Sequence, residues 1–380
     1  MTKKITKKVI FILILMIFGG LGGIIADRYF FPYLSATKIF SRYEFLKKGS
    51  ENTTIINKTE QVVIKEETSI SKITNQVSSA VVNIISYPDK DVKNATSIPK
   101  NGTGVIVTGD GIIMSYASAI NLENSKYKIM TYDGNVYEAT LLGVDSYSNL
   151  AFLKADASNL SIVSFADSDS IKAGEKVVAV ANSSGSYANR YSAGLIGYFN
   201  TGYNISKSVL ASSEKLEGVY EADFNFQKYF IGGPVVDYNG QVVGITGVIE
   251  RDNVQNFFLI PSNKVKTVID RAIKKELELN PVLGVYYVPL SETYAIENNM
   301  SVNAGALIYS TFGQQGLAII ANSPAQKAGL KLGDIIKTVE GDAISLEQTL
   351  PELLYKYKKG DSIRVEVLRG EQQLTISVQL

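Results

Sequence analysis

The chain of 380 residues contains no histidine, no cysteine and no tryptophan. Without cysteine it can form no disulfide, thiol nucleophile or thiolate metal site, and it has no cysteine to carry an amino-terminal lipid. Without histidine it lacks the side chain that most often serves as a general base near neutral pH, and the commonest zinc ligand. The composition therefore excludes any catalytic mechanism that depends on an imidazole.

The chain also lacks an excess of charge of either sign, since it has 38 Lys and Arg residues and 37 Asp and Glu residues. Such a balance gives no field that would concentrate nucleic acid, so we expect no nucleic-acid partner. The acidic residues are scattered, and Asn101–Gly104 lacks the Gly-Lys-Ser/Thr ending of a phosphate-binding loop. We expect neither a metal nor another cofactor.

The amino terminus predicts a membrane anchor. Residues 1–8 form a lysine-rich tail, and the uncharged run Val9–Ala26 nearly spans a hydrocarbon core of about 30 Å. We predict a transmembrane anchor over 9–28 in the cell membrane, with the tail in the cytoplasm and all later domains extracytoplasmic. A cleaved signal peptide is the alternative, although Ile24-Ile25-Ala26 is a poor cleavage site.

Residues 29–68 predict a juxtamembrane linker. Aromatic residues follow the apolar run at once, where their rings suit the lipid headgroup boundary. From Lys38 to Thr68 the chain is mostly polar, which is typical of a tether with little fixed structure. The aromatic residues at its start are Tyr29, Phe30, Phe31 and Tyr33.

Residues 69–275 predict a β-rich domain. Short apolar runs alternate with turn sequences, and 22 tyrosines fit strands with one buried face. Asp110-Gly111, Asp133-Gly134 and Asn239-Gly240 each separate two such runs, which is a strong local signal for a β-hairpin. Repeated at this spacing, the signal indicates an all-β barrel or sandwich.

Five segments of this domain carry a family resemblance. They are GTGVIVTGDGIIMSYASAI at 102–120, DSYSNLAFLKAD at 145–156, FADSDSIKAGEKVVAVANSSG at 165–185, SAGLIG at 192–197 and EADFNFQKYFIGGPVVDYNGQVVGI at 221–245. In sequence and order they resemble the HtrA/Deg family of trypsin-like serine endopeptidases. The resemblance implies a mainly β fold, with a chymotrypsin-like double β-barrel followed by an α+β PDZ domain.

The same resemblance implies that the catalytic triad is lost. The family's histidine position is occupied by Ser118, its aspartate position by Asn149 and its nucleophile position by Ile231. In the loop of the oxyanion hole, Tyr229 stands where the family has glycine, and Phe230 follows it. Since isoleucine has no lone pair and no imidazole can accept a proton, we predict a catalytically inactive homologue, a pseudoprotease.

One enzymatic alternative stays open at this point, because serine and lysine side chains together hydrolyse peptides in some proteases. By motif position, the nearest candidates are Ser183, Ser184, Ser186 and Lys228. Serines beside a lysine are also ordinary surface-loop composition. The alternative is an active serine-type endopeptidase with a non-classical Ser/Lys arrangement.

Residues 281–380 resemble a bacterial PDZ domain, most specifically through SPAQKAGLKLGDII at 323–336. Such domains bind an extended peptide at a sheet edge and capture its terminal carboxylate on backbone amides. The resemblance places the carboxylate-binding loop and edge strand at Val282, Leu283, Gly284 and Val285. Leu350, Leu353 and Leu354 lie on helical spacing and are either pocket-lining or plain core residues.

We therefore predict a membrane-anchored protein that binds unfolded or carboxyl-terminal segments of envelope proteins, as a scaffold, holdase or regulator in quality control. Family members commonly form trimers, which implies a homotrimer or a mixed trimer with an active relative. Phe40, Tyr43 and Phe45 are candidates for its contacts. A purely structural subunit is the remaining alternative. The segment Ser291–Gln315 is either a specificity loop or an added hairpin.

Overall fold

A computed structural model gives the fold of the chain. It describes residues 2–30, 33, 71, 73–89, 98–182, 189–206, 208, 210–224, 228–251, 253–311, 313 and 315–380. The chain divides into two compact units, residues 1–71 and residues 72–380.

The amino-terminal unit contains helix α1, Thr2–Ile25, which continues as a π-helical stretch, Ala26–Phe30. Within the described part of the chain, no helix has the length and apolarity needed to cross a membrane. The structure therefore does not support the anchor predicted over 9–28. Most of the predicted linker, including the candidate trimer contacts Phe40, Tyr43 and Phe45, lies outside the described residues.

The second unit begins with a closed six-stranded barrel in the order β1-β2-β3-β6-β5-β4. The predicted Asp110-Gly111 and Asp133-Gly134 turns join β2 to β3 and β4 to β5, which confirms both hairpins. Branched aliphatic side chains fill the barrel. Its strands are β1 Val81–Pro88, β2 Lys100–Ile106, β3 Ile112–Tyr116, β4 Ser125–Met130, β5 Val136–Val144 and β6 Leu150–Ala155.

A second sheet follows in the order β12-β8-β9-β11-β14-β13-β7, and an additional β12–β13 pairing joins six of these strands into a ring. The Asn239-Gly240 turn forms the β12–β13 hairpin, as predicted. Helix α2, Ser262–Ile273, closes this part of the chain. The strands of this sheet are β7 Ser164–Phe165, β8 Lys176–Ala181, β9 Arg190–Asn204, β11 Glu217–Asp223, β12 Pro234–Val236, β13 Gln241–Arg251 and β14 Val254–Pro261. Between β9 and β11 the chain forms β10, Ala211–Ser212, which pairs in the next sheet.

The carboxyl-terminal domain is a sheet in the order β10-β15-β16-β17-β19-β20, with β18 paired to β17. Its edge strand β10 comes from the middle of the preceding domain. The segment Ser291–Gln315 contributes α3 and β16. The elements are β15 Tyr286–Pro289, α3 Glu292–Glu297, β16 Ala306–Ile308, α4 Gln315–Ala318, α5 Pro324–Ala328, β17 Ile335–Val339, β18 Asp342–Ala343, α6 Leu350–Leu354, β19 Ser362–Arg369 and β20 Gln372–Gln379. The predicted α+β architecture after two barrels is confirmed.

Helix α5 shows how local sequence sets this domain. The Ser323 hydroxyl accepts a hydrogen bond from the Gln326 N–H at 3.2 Å, and Pro324 occupies the first helical turn. Gly329 ends the helix with φ +83°, in the left-handed region where glycine is free of Cβ strain. The serine cap, the proline and the glycine therefore define both ends of this helix.

A buried polar network holds the carboxyl-terminal domain against the barrels. The Asp145 carboxylate accepts hydrogen bonds from Asn280 Nδ2 at 2.6 Å and Tyr355 Oη at 3.0 Å. The Arg271 guanidinium donates to the carbonyls of Tyr355 and Tyr357 at 2.6 and 2.7 Å. Because each buried charge is paired through hydrogen bonds, this junction fixes one arrangement of the two domains within residues 72–380.

Candidate functional site

The three triad positions meet at one cavity of about 1150 Å³. Ser118 lies in the 3₁₀ turn Ala117–Ala119 that follows β3, and Asn149 ends the tight turn before β6. Ile231 follows the 3₁₀ turn Lys228–Phe230 in the second barrel. The Ala117 N–H donates to the Asn149 carbonyl at 2.9 Å, which joins Asn149 to the turn that contains Ser118. The structure thus brings together the residues that the sequence resemblance selected.

Ile231 occupies the nucleophile position as a core residue. Its side chain is only 6% exposed and packs in the main hydrophobic cluster, and it also lines the cavity. A hydrocarbon side chain offers neither a lone pair for attack nor a proton to transfer. The cavity wall is therefore apolar at Ile231, the residue that the family resemblance assigns to the nucleophile position.

Asn149 has a left-handed backbone with φ +59°, a conformation that asparagine tolerates better than most residues. Its Oδ1 accepts a hydrogen bond from Lys215 Nζ at 3.0 Å, and its Nδ2 donates to Tyr116 Oη at 3.3 Å. The amide is neutral and has one donor and one acceptor engaged. It therefore acts as a bridge between Lys215 and Tyr116.

Two polar groups beside the cavity have shifted pKa values. Burial raises the pKa of Tyr116 to about 12, so its phenol stays protonated near neutral pH. Burial lowers the pKa of Lys100, whose ammonium donates to the backbone carbonyl of Ser118. The Ser118 side chain itself is exposed at the rim of the cavity.

The glycines after Ile231 are required by packing. Gly232 has φ +80°, and a Cβ there would lie 2.4 Å from Ser115 Oγ and 2.7 Å from the Tyr116 nitrogen. A Cβ on Gly233 would lie 2.3 Å from the Val180 carbonyl oxygen. The Gly-Gly-Pro frame of a protease thus has a structural reason to be present without its nucleophile.

The loop before Ile231 does not use a glycine conformation. Tyr229 lies in the 3₁₀ turn and is not among the residues with positive φ. Its carbonyl accepts a hydrogen bond from Thr103 Oγ1 at 2.7 Å, and Arg190 Cζ lies 4.5 Å from the centre of its ring. Phe230 is buried in the core of the second barrel. The loop is held by side chains that a glycine could not provide.

The sequence leaves a Ser/Lys arrangement open and predicts no metal site. Ser183, Ser184 and Ser186 lie outside the described residues, while Lys228 Nζ lies 5.8 Å from the centre of the Tyr229 ring. Among the residues that the structure describes, no group of three or more acidic side chains is placed to hold a metal ion. The Ser/Lys arrangement stays a prediction without structural contacts.

The loop Val282–Val285 presents backbone amides at one point. Gly284 has φ +85°, and a Cβ there would lie 2.3 Å from Ser323 Cβ, so only glycine fits. The N–H groups of Leu283 and Gly284 donate to the same oxygen, Oε1 of Glu214, at 3.1 and 2.7 Å. This pair of amides binds a carboxylate, and the carboxylate belongs to the chain itself.

Glu214 was not singled out in the sequence, and neither was the strand before it. Strand β10 pairs antiparallel with β15, with Ala211 opposite Tyr287 and Ser212 opposite Tyr286. Two strand residues are too few to show a period of two, so no local pattern could have revealed them.

The predicted pocket leucines lie in the core. Leu350, Leu353 and Leu354 are at most 2% exposed, and they pack in one cluster with Leu283 and Val285. Val282, by contrast, is largely accessible. Contact of these residues with a bound peptide stays a prediction.

A buried acid lies beneath β15. Glu217 is fully buried and accepts a hydrogen bond from the Tyr287 hydroxyl through Oε2. Burial raises the pKa of Glu217 to about 7, since desolvation disfavours the carboxylate more than its hydrogen bond and Lys264 favour it. Strand β15, which follows the amide loop, therefore contacts through Tyr287 a carboxyl group, Glu217, whose pKa lies near neutral pH.

Comparison with known sequence families identifies two domains. The profile of the trypsin-like peptidase domain matches residues 102–245, and that of the PDZ domain matches residues 281–380. The chain is 30% identical over 265 residues to Serine protease Do-like HtrB of Bacillus subtilis, covering 67% of this chain and 56% of that protein. It is 26% identical over 405 residues to Serine protease Do-like HtrA of Lactococcus lactis subsp. cremoris, covering 96% and 94%.

The chain spans 56% and 61% of the length of the two Bacillus subtilis relatives, HtrB and HtrA. Among solved structures, HtrA-type protease AlgW with tripeptide superposes with a TM-score of 0.64 at 22% identity, covering 81% of this chain and 95% of AlgW. AlgW with decapeptide gives a TM-score of 0.61 at 21% identity, covering 81% and 97%. At this identity the likeness shows the fold.

Proposed function

This chain belongs to the HtrA family of trypsin-like proteins with a PDZ domain, and on that premise we propose that it is a catalytically inactive, peptide-binding member. The single observation that carries the proposal is the cavity at the triad positions, where Ser118, Asn149 and Ile231 replace all three reactive groups. Function then rests on the PDZ domain.

Loss of chemistry follows from what a triad has to do. An imidazole takes the hydroxyl proton, a carboxylate orients that imidazole, and the hydroxyl attacks the carbonyl carbon. The chain has no imidazole at all, Asn149 carries no charge and Ile231 has no oxygen. In serine proteases generally, removal of triad members leaves a rate enhancement of about 10³- to 10⁴-fold over the reaction in water, and this remainder comes from substrate binding and the oxyanion hole. The 3₁₀ turn at Tyr229 argues against even that contribution.

Peptide binding is supported by the amides of Leu283 and Gly284 and by the position of β15 next to the sheet edge, where, in the described part of the chain, only the two-residue strand β10 covers it. A PDZ domain adds a peptide strand at such an edge and holds the terminal carboxylate on such amides. HtrA-type relatives of the same fold have been solved with a tripeptide and a decapeptide. We propose carboxyl termini of unfolded or mislocalised envelope proteins as ligands, with the chain as scaffold, holdase or regulator.

Location and assembly are part of the same proposal. The lysine-rich tail and the apolar run up to Ala26 suggest attachment to the cell membrane, with the later domains extracytoplasmic. HtrA-type proteins commonly form oligomers, and an inactive subunit gains a role in a homotrimer or in a mixed trimer with an active relative. Membrane fractionation of the full chain and its sedimentation with and without such a relative test these two points.

The test of inactivity is a proteolysis assay. We expect the purified full-length chain to leave fluorescein-labelled unfolded casein uncut and to resist a serine-reactive phosphonate. The Lactococcus lactis relative serves as the control for casein quality. Cleavage or labelling above the buffer blank would overturn the proposal, and its loss in Ser183→Ala, Ser184→Ala, Ser186→Ala or Lys228→Ala would favour a Ser/Lys enzyme.

The test of binding uses two peptide pools with randomised final residues, one with free carboxyl termini and one with amidated termini. We expect fluorescence anisotropy to detect binding of the free termini only, because the loop amides need an anion. If neither pool binds to the wild-type chain or to a variant with a changed contact to the amide loop, the result would instead indicate a purely structural subunit.

A further inference from the structure

The chain's own segment lies where a PDZ ligand would lie. Residues 210–214 leave the second barrel, run along β15 and end with Glu214 on the amide loop. We propose that Leu210–Glu214 is an internal ligand of the PDZ domain, so that an external carboxyl terminus has to displace Glu214. This inference rests on the proposed peptide-binding function and specifies how its site is regulated.

The direction of the segment matches a peptide ligand. Strand β10 is antiparallel to β15 and extends the sheet by one edge strand. Beyond the strand, the Ser213 N–H donates to the Val285 carbonyl at 3.1 Å, and the Val285 N–H donates to Ser213 Oγ at 3.1 Å. The segment therefore runs toward the amide loop, in the same direction in which a peptide bound by strand addition runs toward its carboxyl terminus.

The Glu214 carboxylate takes the place of a terminal carboxylate. Its Oε1 accepts three hydrogen bonds, from the N–H groups of Leu283 and Gly284 and from the Ser213 hydroxyl at 2.6 Å. Its Oε2 accepts one from the Ser212 hydroxyl at 3.0 Å. Hydrogen bonds to a charged acceptor are stronger than neutral ones, so the two amides hold this anion well. An external carboxylate needs the same two amides.

The segment is also fixed from its other side. Asn204, at the end of β9, donates from Nδ2 to the carbonyls of Ser212 and Lys215 at 3.1 and 3.0 Å. The buried network around Asp145 holds the domains together independently of Glu214. Because the internal ligand is already positioned, it competes at a high effective concentration. The apparent affinity for external termini is reduced by the fraction of chains in which the loop is vacant.

The experiment compares the full-length wild-type chain with Glu214→Gln, using the two peptide pools and fluorescence anisotropy. Loss of the charged acceptor should raise the fraction with a vacant loop, so we expect the free-terminus pool to bind at least about tenfold more tightly. Glu297→Gln is the matched control, since Glu297 is exposed on α3 and the substitution changes the charge equally. Glu214→Asp keeps the charge with a shorter reach and should give an intermediate affinity.

Hydrogen–deuterium exchange over residues 282–286 gives a second readout that needs no peptide. We expect faster exchange in Glu214→Gln than in wild type or Glu297→Gln, and slower exchange again when the free-terminus pool is added. Thermal unfolding of each variant verifies that it folds, and Glu214→Asp replaces Glu214→Gln if the latter does not.

The outcomes separate this inference from the proposed function. Equal peptide affinity and equal exchange in wild type and Glu214→Gln would overturn the internal ligand and leave peptide binding intact. Faster exchange in the variant without binding of either pool would overturn the proposed peptide-binding function, and with it any competition. Tighter binding with faster exchange supports both.

Discussion

The cavity lined by the residues at the triad positions and the PDZ amide loop differ in the groups that each presents. The cavity has a volume of about 1150 Å³ and is lined by Ser118, Asn149 and Ile231, which the family resemblance assigns to the triad positions. The loop presents the amides of Leu283 and Gly284, and Glu214 accepts hydrogen bonds from both. In the two proposals, the cavity lacks reactive groups, whereas the loop has its binding groups but is already occupied.

This difference separates a permanent change from a reversible one. The chain has no imidazole and no side-chain oxygen at position 231, so in the proposed function no motion restores a triad at the cavity. Displacement of Glu214 needs only an exchange of one carboxylate for another on the same amides. Together the two proposals predict regulation at the PDZ loop and not at this cavity.

The largest effect on stability is expected from the Gly-Gly-Pro segment that follows Ile231. Gly232→Ala puts a Cβ within 2.7 Å of two backbone atoms at a φ of +80°. Overpacking and left-handed strain together should lower the free energy of unfolding by about 4 kcal/mol. Chemical denaturation of the purified variant measures this loss. It would show that the Gly-Gly-Pro frame is retained for packing.

Gly202→Ala is the matched control, because Gly202 lies in β9 without positive φ, and a Cβ added there would meet no described atom within 4 Å beyond its chain neighbours. We expect a change of at most about 0.5 kcal/mol there. Equal stability of Gly232→Ala and Gly202→Ala would mean that the frame around Ile231 is loose, against the packing explanation.

A smaller effect is expected beside the PDZ loop, from Glu217. Its pKa is raised to about 7 by burial, so the native state binds more protons than the unfolded state between pH 4.5 and 7. Its contribution to stability is therefore full below pH 4.5 and is lost as the pH rises through 7. The free energy of unfolding should fall by about 3 kcal/mol from this group between pH 4.5 and pH 8.

Glu217→Gln removes this titration while keeping an acceptor for the Tyr287 hydroxyl. The difference in unfolding free energy between wild type and variant, measured at pH 4.5 and pH 8, isolates the group because other titrations cancel. A difference that does not change with pH would show that Glu217 is not desolvated. The exposed Glu297→Gln should show no such pH-dependent difference.

The barrels could be predicted because their signals are local. Asp110-Gly111 and Asn239-Gly240 fix hairpins within a few residues, and ordered motifs locate Ser118, Asn149 and Ile231 at one cavity. The absence of histidine, which decides the chemistry, is a property of composition and needs no structure. Sequence was sufficient wherever a residue type alone determined the outcome.

Contacts across the domain boundary could not be predicted in this way. Strand β10 has two residues, and its partner β15 begins more than seventy residues later. Glu214 is one of many acidic side chains until the fold brings it to Gly284. The hydrogen bond between Asn149 and Lys215 could not be predicted for the same reason, because neither residue stands out in the sequence and only the fold brings the two side chains together.

The smallest effect on stability is expected from Asn149→Asp, which replaces one polar group of a side chain in the cavity. Asn149→Asp restores the carboxylate that the family resemblance implies, 3.0 Å from Lys215 Nζ if the side chain keeps its position. Both residues are partly exposed, so the new ion pair should add at most about 1 kcal/mol to the free energy of unfolding. The gain should shrink in high salt, and a double-mutant cycle with Lys215→Met measures the pair itself.

Asn149→Asp should nevertheless leave casein uncut. A carboxylate contributes to a triad by orienting an imidazole and stabilising its cation, and this chain has no imidazole to orient. Phosphonate labelling of the variant but not of wild type would contradict this reasoning, since it would show that position 149 alone decides activity. Absence of labelling in both would support the proposed inactivity, in which the three replaced positions act as a unit and one restored charge does not restore catalysis.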